Sequence, residues 1–193
     1  MFKNLFGKKT PQKEFITITL NAKLQPMHRA DLDDALSIVL DKQNIGDICG
    51  GGSLLEDNGE IQECNIEIEA IDSSEQAIEH ILSFLKNTLS PKGSRLRIGD
   101  KVIPFGEHEG LGLYLNGTDL PDEVYQNCDI NEAWAEIEKL LGDEGSIHSY
   151  YQGNTETALY IYGNQFEVMY QLIKPYLDSY PLCQQCRVVK IAG

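Results

Sequence analysis

Cys183-Gln184-Gln185-Cys186 is a C-x-x-C pair, a spacing that serves dithiol redox chemistry or half of a zinc site. A redox pair needs its first thiol at a helix N-terminus, where the dipole lowers the thiol pKa. This pair instead follows a helical pattern and precedes a strand pattern. Zinc needs two further ligands, and Cys49, Cys64 and Cys128 form no second close pair. The thiols therefore read as small buried side chains in a reducing compartment. Gly50-Gly51-Gly52-Ser53 looks like a phosphate loop, but it lacks the following lysine and opens onto a strand pattern instead of a helix. A bulge or a close backbone approach accounts for it better. His28, His80, His108 and His148 show neither H-x-x-x-H nor H-E-x-x-H spacing. Glu107-His108-Glu109 reads as a solvated loop group. His148, Glu156 and Tyr160 could meet across a hairpin and perform acid–base work. There is no G-x-S-x-G. These residues predict a non-enzymatic chain with no catalytic residue, no cofactor and no metal. The alternative is a small-ligand-binding module or enzyme with its site between two repeats, and a deep, polar-lined cleft holding His108 or His148 beside carboxylates would favour it.

The elements that would position these groups follow from hydrophobic period and punctuation. Phe15 to Leu20 alternates apolar residues with threonine and predicts a strand. Pro26 precedes a helix with Leu32, Leu36, Val39 and Leu40 on one stripe and Asp31, Asp33 and Asp34 in its early turns. Asn44 and Gly46 end it. Residues 47–56 and 60–70 form a hairpin around Asn58-Gly59, where both residues tolerate positive φ. Asp72-Ser73-Ser74-Glu75 caps a helix buried through Ala77, Ile78, Ile81, Leu82 and Leu85, and Arg95 to Ile98 is a short strand. Residues 99–110, with Pro104 and three glycines, read as a joint.

The order then repeats. Ile18-Thr19-Leu20-Asn21 and Pro26 return as Leu113-Tyr114-Leu115-Asn116 and Pro121, a shift of 95 positions. Asn65 to Ile68 matches Ala158 to Ile161, and Arg95 matches Arg187. The second copy predicts a strand at 111–115, a helical region carrying Ile130, Trp134, Ile137 and Leu141, and a hairpin of 147–151 with 155–162. A last helix runs from Phe166 past Leu177, with Pro175 as a kink or late break, and Arg187 to Ala192 is the final strand. Such a duplication fixes architecture more firmly than any motif. The expected fold is α+β: two tandem βαββαβ repeats with antiparallel sheets. The expected division is a basic N-terminal tail at 1–14, a first repeat at 15–105 and a second at 106–193. Each half resembles the ferredoxin-like fold, which hosts many unrelated functions.

In such a unit both helices cover one sheet face, and the other face must meet solvent, the sister half or a partner. On the strand at 60–70 that face carries Glu63, Asn65, Glu67 and Glu69. On the strand at 155–162 it carries Glu156, Ala158, Tyr160 and Tyr162. Glu63, Glu67, Glu69, Tyr150, Tyr160 and Tyr162 are the expected partner-binding residues, with aromatic groups as anchors and acids to steer. Net charge is −14, and residues 1–13 hold four lysines and no acid, so the remainder stands at −18. A body that acidic repels phosphate backbones, which argues against nucleic acid and for a basic protein partner. The first turn is too small for stable membrane association, no secretory signal is evident, and a cytoplasmic location is expected. A homo-oligomer through sheet edges is a further option. The compact, acidic, motif-poor character also resembles small bacterial immunity-type proteins. That resemblance implies neutralisation of a toxin by binding, and it carries over no binding residue.

Overall fold

The computed structural model describes residues 14–193. The basic tail expected at 1–14, with its lysines, lies outside these residues except for Glu14. The first half runs β1 (Glu14–Leu20), α1 (Pro26–Gln43), β2 (Gly46–Leu55), β3 (Ile61–Ala70), α2 (Glu75–Thr88), β4 (Ser94–Ile98) and β5 (Lys101–Phe105). The second runs β6 (Glu109–Asn116), α3 (Asp122–Asn127), α4 (Ile130–Leu141), β7 (Gly145–Gln152), β8 (Glu156–Gly163), α5 (Phe166–Ser179) and β9 (Arg187–Ala192). The strands form two antiparallel sheets, ordered β2-β3-β1-β4-β5 and β7-β8-β6-β9. Without β5 the two orders are identical. The chain is a tandem of two ferredoxin-like βαββαβ units.

Period decides each element. Ile16, Ile18 and Leu20 alternate inward from β1 and meet Cys64, Ile66 and Ile68 of β3 beneath the helices. Leu32, Leu36 and Leu40 of α1 and Ala77, Ile78, Ile81 and Leu85 of α2 supply the other side. In the second unit Leu111, Leu113, Leu115, Leu159 and Ile161 meet Ile137, Leu141, Met169, Ile173 and Leu177. Ser74 caps α2 by accepting from the Ala77 N–H at 3.3 Å, and Asn44 ends α1 in the left-handed region at φ 52°.

Four expectations need correction. The joint at 99–110 contains β5, in which Ile103 and Phe105 alternate inward against β4 and the first core. Pro104 suggested a loop, but an edge strand tolerates a residue with no N–H to donate. Asp31, Asp33 and Asp34 fall beyond the first turn of α1, because that helix starts at Pro26; Asp33 instead pairs with Arg29 at 3.1 Å. In the 56–60 turn only Gly59 has positive φ, at 85°. The turn closes through Gly59 N–H to Glu56 O and Glu56 N–H to Glu60 O, a three-residue hairpin with one left-handed glycine. The helical region after Pro121 is two helices, broken at Cys128. Pro175, for its part, sits inside α5, which continues to Ser179.

The triple glycine is architectural. A Cβ on Gly51, at φ 154°, would stand 2.4 Å from the Arg29 guanidinium and 2.5 Å from Asn65 O. On Gly52 it would meet nothing nearer than 3.6 Å. Gly51→Ala should therefore destabilise by more than ~1 kcal/mol, while Gly52→Ala should be neutral or gain a few tenths. Urea unfolding of the two variants checks this, and equal effects would refute the account.

Candidate functional site

The uncovered face of the second sheet is occupied by the first unit. Tyr114 of β6 and Ala158, Tyr160 and Tyr162 of β8 belong to the same buried cluster as the first core. Tyr160 and Tyr162 are 0% and 2% exposed. The expectation that they present a free partner-binding surface is thereby corrected: their partner is the sister unit. Gly110 and Gly112 of β6 make this possible, since a Cβ there would lie 2.9 Å from the Tyr162 ring and 2.8 Å from the Tyr114 ring, respectively.

What docks is the end of the first unit, namely the β1–α1 connection and the β2–β3 turn. The Lys23 N–H donates to the Tyr162 hydroxyl at 2.8 Å, and the Gln25 N–H donates to Ser149 Oγ at 3.0 Å. Glu60 is buried, accepts from the Tyr114 hydroxyl at 2.6 Å and pairs with Lys23 Nζ at 3.0 Å. Lys23 Nζ also reaches Glu56 and the Ile61 carbonyl and stands over the Tyr160 ring. Burial alone would raise the Glu60 pKa, but hydrogen bonds from Tyr114 and Lys23 outweigh it and hold the carboxyl below its ordinary value. Burial, then the Glu60 carboxylate, pushes the Tyr114 and Tyr160 phenols well up, so both remain protonated. The Tyr160 hydroxyl lies beside Glu60 but finds no hydrogen-bond geometry among the described residues. At the rim, Tyr151 donates to Asn58 O at 2.7 Å.

Histidines line the same junction. His148 packs edge-on to Tyr162 and contacts Ser146 Oγ at 3.0 Å. His28 Nδ1 contacts Ser149 Oγ at 3.2 Å, and the Ser90 N–H donates to His108 Nδ1. Ser149 is fully buried, so the His28–Ser149 pair presents no accessible nucleophile. The suggested meeting of His148, Glu156 and Tyr160 does not occur: Glu156 forks to Arg187 at 2.8 Å, and Tyr160 turns to Glu60. Glu109 joins the units on the other side, held by Lys92, the Phe166 N–H and Lys190, which bring its pKa to about 2. Lys23, Glu60 and Tyr114 were not singled out as site residues from sequence, and Glu109, expected in a solvated loop with Glu107 and His108, instead opens β6 and is paired with two lysines. The available signal was the pair of glycines on β6 flanking the tyrosine strand.

Among the described residues no element covers the first sheet's equivalent face. Thr19, Glu67 and Glu69 stand where Tyr114, Tyr160 and Tyr162 stand in the second copy. Phe15, opposite Glu69 on β1, is 48% exposed, and Leu54 on β2 is exposed beside Glu63. Asp47 stands directly across from Glu69, and Glu67 forms no ion pair among the described residues. Arg95 forks onto Glu63 at 2.9 and 3.1 Å, as Arg187 does onto Glu156, so this ion pair recurs in both copies. Arg187 also stacks on the Tyr114 ring at 3.6 Å. Tyr150 remains partly exposed at the seam, edge-on to His28 of α1 and Trp134 of α4. A cleft of about 560 Å³ beside it is lined by Gln25, Arg29, Ser53 and Tyr151, and neither His108 nor His148 reaches it.

No three or more His, Cys, Asp or Glu side chains among the described residues are grouped to hold a metal ion. Cys183 and Cys186 are free, and burial pushes the Cys183 thiol up to about 12, which keeps it protonated at neutral pH. No helix among the described residues is long and apolar enough to cross a membrane.

No family model matches the chain, and no curated protein matches it. Among solved structures it is similar to a Galdieria sulphuraria protein at 12% identity, covering 94% of this chain and 98% of that one, TM-score 0.29. The first two RRM domains of yeast poly(U) binding protein give 9% identity, 92% and 99% coverage and TM-score 0.26. The regulatory subunit of aspartate kinase from Thermus flavus gives 11%, 85% and 93%, and 0.29. Superpositions this loose carry nothing about function.

Burial first, then His108 and His28, holds the His148 pKa down at about 4. The unfolded chain takes up that proton near the ordinary imidazole value, about 6.5. Stability should therefore fall as pH drops from about 6.5 to about 4 and lose this dependence below. Urea unfolding across that range checks it, and His148→Asn should flatten the slope. Tyr114→Phe removes a hydrogen bond to a buried carboxylate and should cost roughly 1.5–3 kcal/mol at neutral pH.

Proposed function

We propose that the chain is a non-enzymatic binding protein that holds a basic protein partner on the open face of its first sheet, in the manner of an immunity-type inhibitor. One observation carries this reading: of two equivalent sheet faces, one is filled by a polypeptide end and the other, bearing Glu63, Glu67 and Glu69, is uncovered among the described residues. The filled face is an internal example of what this kind of surface binds. There, phenols meet a backbone N–H and a carboxylate; on the open face, carboxylates replace the phenols and select a cation. Phe15 and Leu54 add apolar contact beside the acids. The −18 body supports long-range steering of a basic partner, as in inhibition of a toxin nuclease. Tyr150 lies at the seam, away from this surface, and has no part in the reading. The alternative, an active site between the units, is less well supported: tyrosines and apolar side chains pack around the junction's histidines and the Lys23–Glu60 pair, and neither His108 nor His148 lines the cleft at the seam.

The test is capture with the full chain as bait, at low salt, against Glu67→Lys/Glu69→Lys bait of equal thermal stability. A basic protein should be retained by the first and released by the second, with retention lost between about 50 and 300 mM salt. Co-expression should suppress whatever activity that partner has. Capture of an acidic partner, or indifference to both substitutions and salt, would sink the reading.

A further inference from the structure

β9 is paired on one side only. Among the described residues it bonds to β6, and its outer edge is open. Its counterpart β4 sits in the same register: Arg95 faces Thr19 and Leu96 faces Ile18, as Arg187 faces Tyr114 and Val188 faces Leu113. Yet the outer edge of β4 is closed by β5, antiparallel, with Leu96 opposite Ile103 and Arg97 opposite Val102.

That closing strand supplies both backbone and side chains. It completes the ladder of β4, and its Ile103 and Phe105 pack against the first core. Leu96 is thereby fully buried, while Val188 is only half-buried. Between β9 and α5 lies a groove of about 480 Å³ whose apolar lining is Phe166, Tyr170, Leu177 and Val188. The Phe166 and Tyr170 rings stack along it at 6.2 Å. On the same flank of the first unit, Ile103 lines a groove of about 700 Å³ together with Ile78 and Leu82 of α2. The cations at the rim are already paired, Lys174 with Asp178 and Lys190 with Glu109. The groove's cations are thus paired, and its apolar rings share the lining with uncharged Gln184 and Gln185, which suits an uncharged occupant. β2 and β7 also have open edges, but they are outermost in both units and have no internal counterpart that is covered.

We propose that β9 is a strand-addition site: it accepts an extended segment of a partner protein, antiparallel, with apolar side chains at alternate positions over the Phe166–Tyr170 groove. The main chain would supply affinity and the groove would supply selection. This site is separate from the acidic face and does not depend on it.

The probe is a synthetic peptide with the sequence of residues 100–106, which already plays this part on β4. Titrated into the full chain, it should bind saturably and shift the resonances of residues 188–192, Phe166 and Tyr170. Alternate amides of β9 should exchange about tenfold more slowly. N-methylation of one alternating set of peptide amides should weaken binding by about tenfold or more, and the other set should not. Tyr170→Glu should weaken it similarly with the unfolding midpoint kept. No saturable binding, shifts located at β2 or β7, or indifference to N-methylation would overturn the proposal. So would light scattering that shows a dimer broken by Tyr170→Glu, which would make the edge a contact between copies.

Discussion

The Glu60 carboxylate is the charge around which the two units are joined. It lies out of water between Lys23 and the phenol of Tyr114, with Tyr160 beside it. Burying an ion pair is costly, and pairs of this kind often add little net stability. What a buried carboxylate does well is to penalise every arrangement that takes away its hydrogen-bond donors. Sliding the first unit across the tyrosine face would keep Lys23 and Glu60 paired, because both belong to that unit, but would take the Tyr114 hydroxyl from the buried carboxylate and the Tyr162 hydroxyl from the Lys23 N–H. The junction thus has one register, and the positions of the two sheets follow from it. Around that point the interface is apolar and aromatic, continuous with the first core.

Much of the scaffold was legible. The alternation in Phe15 to Leu20, the stripe of Leu32, Leu36 and Leu40 and the Ser74 cap each depend on neighbours close in sequence. The repeat supplied the remainder, because one half served as a check on the other. β5 escaped because Pro104 reads as a breaker, and only its edge position makes it harmless. The split between α3 and α4 escaped because the apolar stripe gives no sign of where the chain turns at Cys128.

The docking was not legible, for a physical reason. A tyrosine suits an exposed sheet face, a partner surface or a sealed junction equally well, and its hydroxyl finds partners in each. Tyr160 and Tyr162 read as a surface because their intramolecular partners, Lys23 and Glu60, sit in connections that carry no periodicity. On the other copy the acids stand on the sheet face turned from the helices. Glu67 is solvated, and Glu63 is fixed by Arg95 in the same fork that Arg187 makes with Glu156. The units thus share their covered cores and this ion pair and differ where each sheet turns away from its own helices.

The junction is head-to-tail: the end of one unit meets the face of its neighbour. Contacts of that kind do not close on themselves, and repeated they generate open arrays. Neither side of this contact is duplicated in the sister unit. The loop of the second unit that corresponds to residues 21–25 has Thr118 in place of Lys23 and Asp119 in place of Leu24. The first sheet, which a further unit would have to meet, offers Glu67 and Glu69 in place of phenols. An acidic end brought to an acidic face is repelled. The same carboxylates that set the first sheet apart from its copy therefore work against a repeat of this contact between chains.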